Sequence, residues 1–295
     1  MNAVFDPSLI FISDTDWQNT DKQDEFLENL LCHLETIDKY DICSIYFSNK
    51  LQEDMFEHPG IHPWYGSDFA NPLVSVIYKI FFKRLLVIES CATECSIVPD
   101  FLVKVVNNNV FHDFLKLSHS IIDKNMSFFL CLSAYNKLLP AQRYKFSCNC
   151  GHECSPELIN TCNDWINTVD VVGKLYPSEK ADFVEKMEEA IVITQKKLFK
   201  GKSSKYPVKF TNQFMKDLLE EVNHREKTIE SISKRLTLSN KEAGSDNQLK
   251  DEYIRQKKER RFRVTNSTRI HYKFDNDGSF LFLRYFGEGK HDDGL

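Results

Sequence analysis

Between Arg255 and Lys273 the chain carries eight Lys or Arg against one acid, Glu259. The cations are Arg255, Lys257, Lys258, Arg260, Arg261, Arg263, Arg269 and Lys273; Arg284 and Lys290 follow downstream. His271 falls inside the run and His291 beyond it. A solvated strand face needs only a few charges of either sign. A one-signed set with histidine points instead to phosphate binding joined to proton transfer. Cleaving RNA through its own 2′-hydroxyl makes three demands. A group must take the 2′ proton, a group must stabilise the added phosphoryl charge, and a group must protonate the leaving 5′-oxygen. Arginine suits the charge, because it stays cationic and offers a planar fork to phosphate oxygens. Histidine suits the proton work, because its pKa lies near neutrality. No metal is required for this chemistry.

Two other clusters have chemical potential. Cys148, Cys150, His152 and Cys154, with Cys162 further on, supply soft ligands for a tetrahedral zinc. Their spacing crowds a single ion unless Gly151 turns the chain tightly; Cys91 and Cys95 are further donors, and the alternative is free thiols beside a surface histidine. Asp14, Asp16 and Glu89 fall at expected strand ends and could hold Mg²⁺, as in PIN-like metal nucleases. The plainer reading is ordinary turn and helix-start aspartates. His58, His62 and Trp64 share a Pro-bounded loop that reads as packing. The ten glycines form no phosphate-cradling pattern.

Elements must place these groups. Phe262 and Val264 alternate with Arg261 and Arg263, the period-2 signature of a half-buried strand. Ile270, Tyr272 and Phe274 alternate with Arg269, His271 and Lys273 in the same way. Asn276, Asp277 and Gly278 predict a hairpin turn. Residues 280–286 are nearly all apolar, as in a central strand. Upstream, residues 208–211 read as a strand, and 212–222 and 226–238 as helices with solvated, mixed-charge outer faces.

This order of elements, with Arg261-x-Arg263, Arg269-Ile270-His271-Tyr272, the hairpin, the apolar strand and Gly289-Lys290-His291, resembles the RelE/HigB/ParE toxin superfamily over residues 206–295. The resemblance implies an α+β toxin domain. It implies that Arg269, Arg261 and Arg263 bind the scissile phosphate and that His291 is the acid near the C-terminus. Arg255, Lys257, Lys258, Arg260, Lys273, Arg284 and Lys290 would bind the rest of the RNA. Tyr272 matches a position that is usually structural. The chain lacks the C-terminal tyrosine of some members and carries Asp292 and Asp293 where others are basic. ParE-like members share the fold and act on gyrase; the arginines and histidine here favour the nuclease branch. The implied activity is metal-independent cleavage of messenger RNA on the ribosome, in a toxin-antitoxin, stress or antiviral-defence setting. No cofactor is needed for it, and the zinc would be structural.

Residues 206–295 hold 18 Lys and Arg against 15 Asp and Glu, whereas the whole chain of 295 residues has a net charge of −5. A basic tail on an acidic body is the asymmetry expected if only the tail meets nucleic acid. Ahead of it, strands at 8–13, 42–47, 85–89 and 127–132 alternate with helices, the first of these over 21–37. We therefore expect an α/β N-terminal domain with a mostly parallel sheet (1–140), a helical Cys-rich connector (141–205) and an α+β RelE-like domain (206–295). In the connector, Pro177, Ser178 and Glu179 open a helix running to about residue 199, 200–205 reads as a flexible basic linker, and 240–248 is a second polar break. The first residues lack a secretory signal and no apolar run approaches the ~18 residues of a membrane span. The expectation is a cytoplasmic protein, with no membrane partner, whose nine cysteines are reduced or metal-bound. Its partners would be RNA, the ribosome and an antitoxin or regulatory protein, with the N-terminal domain controlling the tail. Two other classes stay open: a non-enzymatic RNA- or protein-binding module, and a metal-dependent nuclease in the N-terminal domain.

Overall fold

The computed structural model describes residues 2–5, 19–48, 79, 83, 86–88, 97–99, 128–131, 146–148, 153–154, 157–159, 161–200 and 202–289. The chain divides into two compact units, Met1–Thr168 and Val169–Leu295.

The first unit holds a five-stranded parallel sheet built from β1 (Asn2–Phe5), β2 (Ser44–Ser48), β3 (Leu86–Ile88), β5 (Phe128–Cys131) and β8 (Glu157–Ile159), in the order β3-β2-β1-β5-β8. Its central strand is β1, and residues 8–13, read from sequence as the first strand, lie outside the described residues. A separate three-stranded antiparallel sheet pairs β4 (Ile97–Pro99), β6 (Phe146–Cys148) and β7 (Glu153–Cys154). The mostly parallel α/β reading therefore holds. The boundary at 140 does not, because β8 supplies the sheet's fifth strand.

Helix α1 (Thr20–Tyr40) shows why this sequence folds locally as it does. Asn19 caps it, its side chain accepting from the backbone N–H of Asp21 and Lys22, and Asp41 ends it with φ of 45°. Leu30, Leu34, Ile37 and Tyr40 recur at helical spacing and are buried. A 3-10 helix, Cys162–Thr168, lies against α1. Cys32 and Cys162 form a disulfide, and the Trp165 indole N–H donates to His33 Nδ1 at 2.8 Å in a buried contact.

The second unit is an α+β layer. Its sheet runs in the order β10 (Glu252–Ile254), β11 (Glu259–Arg263), β12 (Arg269–Phe274), β13 (Phe280–Phe286), β9 (Val208–Phe210). The first four form an antiparallel meander, and β9 joins β13 in parallel. Between β9 and β10 come α3 (Asn212–Leu219), α4 (Arg225–Thr237) and α5 (Asn240–Ser245). The core is aromatic. Phe210 stacks on Phe282 at 5.4 Å, Tyr272 on Phe280 at 4.0 Å, and Phe183 meets Phe210 and Phe214 edge-on.

Three expectations from composition change here. Helix α2 (Phe183–Leu198) belongs to this unit and packs on α4, with Gln195 Nε2 donating to the Ser233 carbonyl at 3.2 Å. The described part of the basic linker is packed rather than free: the Lys205 N–H donates to the Leu236 carbonyl and its ammonium pairs with Glu242. The second polar break is α5, closed at its start by a Ser239/Glu242 capping box.

Candidate nucleic-acid interface

Strand register decides which of the predicted cations meet. Arg260 pairs with Tyr272, and Phe262 with Ile270; these residues point to the helices and the core. The alternate residues share the other face. There Arg261 lies opposite His271, which lies opposite Arg284, and Arg263 opposite Arg269, which lies opposite Phe286. A bulge between His271 and Tyr272 keeps Arg284 in that row by shifting the register of β13. Two cross-strand rows thus bring together Arg261, Arg263, Arg269, Arg284 and His271, with Lys273 exposed on the same face.

Local contacts fix most of these side chains. Arg261 Nε donates to Glu252 Oε1 at 2.6 Å. Arg269 Nη1 donates to the carbonyls of Thr265 and Thr268, bracing the β11–β12 turn. Arg284 Nε donates to Asp217 Oδ2 at 2.7 Å, its guanidinium over the Phe286 ring. Arg263 differs: its Nε is buried and has no hydrogen-bond partner. An unsatisfied buried donor costs roughly 1–3 kcal/mol, so an acceptor arriving there is favoured.

His271 is buried against Phe286, its ring 4.7 Å away, and its Nδ1 is 3.3 Å from Glu259 Oε2. Sequence reasoning noted Glu259 only as a solitary acid. The period-2 pattern that grouped the arginines also places Glu259 on their face, and that signal was readable.

Other expected site residues fall elsewhere. Arg260 does not join this face. It donates to Asp251 Oδ1 at 2.9 Å and to the Tyr272 hydroxyl at 3.0 Å, in a network with the fully buried Arg235. Arg235 Nε pairs with Asp251, its Nη2 donates to the Tyr272 hydroxyl at 2.6 Å, and that hydroxyl donates to Asp251 Oδ2 at 2.6 Å. Burial and the Asp251 charge hold the Tyr272 hydroxyl protonated well above its ordinary range. Arg255, Lys257 and Lys258 are exposed on the tight β10–β11 turn, where Lys258 has φ of 52°. Lys290 and His291 lie outside the described residues.

The cysteine cluster is changed by one contact. Cys162 is bonded to Cys32, so in this structure it is neither a zinc ligand nor, like Cys32, a reduced thiol. Cys148 ends β6 and Cys154 ends β7; Cys150 and His152 lie outside the described residues, as do Cys91, Cys95, Asp14, Asp16, Glu89, His58, His62 and Trp64. Among the described residues no group of three or more His, Cys, Asp or Glu is placed to hold a metal. Among them, too, no helix is long and apolar enough to cross a membrane. Comparison with protein-family models, with curated proteins and with solved structures returned no match.

Proposed function

We propose that residues 206–295 of the second unit form a RelE-like endoribonuclease domain whose cationic sheet face binds and cleaves RNA without a metal, leaving 2′,3′-cyclic phosphate and 5′-hydroxyl ends. The carrying observation is the register that sets Arg261, Arg263, Arg269 and Arg284 on one face, with the unpartnered Nε of Arg263 among them. The element order, a strand, three helices and a meander whose last strand returns beside the first, supports the same reading. By that likeness the substrate is messenger RNA on the ribosome. The first unit is then the regulator in the same chain, in a stress or phage-defence setting; both rest on analogy of fold.

The test is incubation of the full-length protein with a single-stranded oligoribonucleotide, with and without EDTA, beside Arg263→Ala. We expect cleavage that survives EDTA and falls about 10²–10³-fold in the variant, the usual consequence of removing one donor to a charged transition state. Cleavage abolished by EDTA would move the activity to a metal site, as in the N-terminal alternative. A second reading is favoured by a specific observation: Arg261, Arg269 and Arg284 each already have an intramolecular partner. Such a face can bind phosphates non-enzymatically, and salt-sensitive RNA binding without any cleavage would select that reading.

A further inference from the structure

We propose that Glu259 is the proton acceptor of the cationic face and that buried His271 is the residue that positions it. The inference rests on the RNA-cleavage reading above and deepens it. Glu259 opens β11, two residues before Arg261, which lies opposite His271. Its carboxylate therefore reaches diagonally across the sheet, and Oε2 stands 3.3 Å from His271 Nδ1. The two partners differ in access. The Glu259 side chain is 27% exposed, and that of His271 is 2% exposed. Only the carboxylate can touch a bound strand.

The surroundings suit that division. Among the described residues, the charged groups sharing the face are Arg261 and Arg263 on β11, Lys273 and Arg269 on β12 and Arg284 on β13; Glu252 on β10 is tied to Arg261 and Asp217 on α3 to Arg284. No other carboxylate lies on β11, β12 or β13. A phosphodiester drawn to Arg261 and Arg263 thus lies near two acids, of which Glu252 is held by the Arg261 Nε and Glu259 is held to the buried histidine. Burial of the imidazole against Phe286 keeps its ring fixed, and a fixed ring holds the carboxylate in one rotamer. The step balances without a further reactant. The 2′-oxygen bonds to phosphorus as the bond from phosphorus to the 5′-oxygen breaks. Glu259 takes the 2′ proton, and the leaving 5′-oxygen takes a proton from water. The arginines offset the charge gained by the phosphoryl oxygens.

The experiment uses the full-length protein with an oligoribonucleotide for cleavage and the same sequence as oligodeoxyribonucleotide for binding, since the latter has no 2′-hydroxyl. Variants are Glu259→Gln, His271→Asn, which keeps an N–H donor near the Nδ1 position, and His271→Phe, which does not. We expect Glu259→Gln to lower kcat by about 10²–10⁴-fold, the usual range for a general base. It should hold the Kd for the deoxy strand within about twofold and remove the acidic limb of the kcat/KM pH profile. His271→Asn should retain more kcat than His271→Phe, with the acidic limb displaced in both. Undiminished cleavage by Glu259→Gln overturns this inference and leaves the nuclease reading standing. No cleavage by the unaltered protein overturns both. Should Glu259→Gln melt early, the histidine pair decides: equal losses in both, with the acidic limb unmoved, overturn the positioning role.

Discussion

At the scale of single residues, the strongest constraint in the second unit is Asp251. It is buried, and it is the carboxylate for both Arg235 and Arg260 while also accepting from Tyr272. Removing one member of a buried ion pair leaves its partner's charge uncompensated, so Asp251→Asn should destabilise this unit by roughly 3–5 kcal/mol in urea unfolding. Tyr272→Phe removes hydrogen bonds but no charge, and should cost about 1–2 kcal/mol. An equal loss in the two variants would contradict the ionic account. None of this was readable beforehand. Arg235 lies in a helix of mixed charge that reads as solvated, and its partner lies 16 residues further on, in a loop whose path the sequence does not set. In the first unit, burial pulls His33 down to about 4 from its ordinary 6.5, against the charge of Asp164. The neutral ring accepts from Trp165, and protonating Nδ1 would end that bond. Between pH 6.5 and 4 the unfolded chain therefore binds a proton that the folded unit does not, so stability is present above 6.5 and lost as pH falls. Thermal melts of the unaltered protein should show this slope, and His33→Gln should flatten it.

At the scale of elements, legibility followed the strength of periodicity. Strands β11 and β12 were readable because arginine and lysine alternate with residues that must be buried, and β13 because its run is nearly all apolar. The turn before β13 was readable from Gly278, whose φ is 82°. Strand β10 and helix α5 were not anticipated. Three residues are too few to display a period, and Asn240 to Ser245 has one apolar face residue, Ala243, to bury. The readable signal was the cap: Ser239 followed at the third position by Glu242, with the Ser239 hydroxyl accepting from Glu242 N–H and the Glu242 carboxylate accepting from Ser239 N–H. These bonds, with Lys205, hold the exposed Glu242 carboxyl at about 2. Ser239→Ala should cost about 1 kcal/mol and raise amide exchange first in residues 240–245, whose helix is too short to persist without its cap. Uniform acceleration across the second unit would show that the cap supports more than α5.

At the scale of the whole molecule, composition placed the breaks at 140 and 205, whereas the units divide between Thr168 and Val169. The difference has a physical cause. Cysteine content and polar runs mark what a segment is made of, while a unit is defined by what its strands and helices pack against; β8 pairs with β5, and α2 packs on α4. The division gives two independent reporters. All three tryptophans, Trp17, Trp64 and Trp165, precede residue 169, and the described one, Trp165, is buried in the first unit against His33, so its fluorescence reports on that unit. The disulfide between Cys32 and Cys162 closes a loop across 130 residues of that unit, joining α1 to the 3-10 helix that carries Trp165. Cross-linking a loop of this length restricts the unfolded chain, and its loss costs about 2–5 kcal/mol. Reduction, or Cys32→Ser, should therefore lower the fluorescence-monitored midpoint by several degrees. Asp251→Asn should instead lower the transition followed by amide exchange across β10 to β13. A fluorescence midpoint indifferent to reductant and to Cys32→Ser would mean that the two cysteines are thiols in solution. That result would restore the reduced state expected from sequence and return Cys162 to the set of candidate metal ligands.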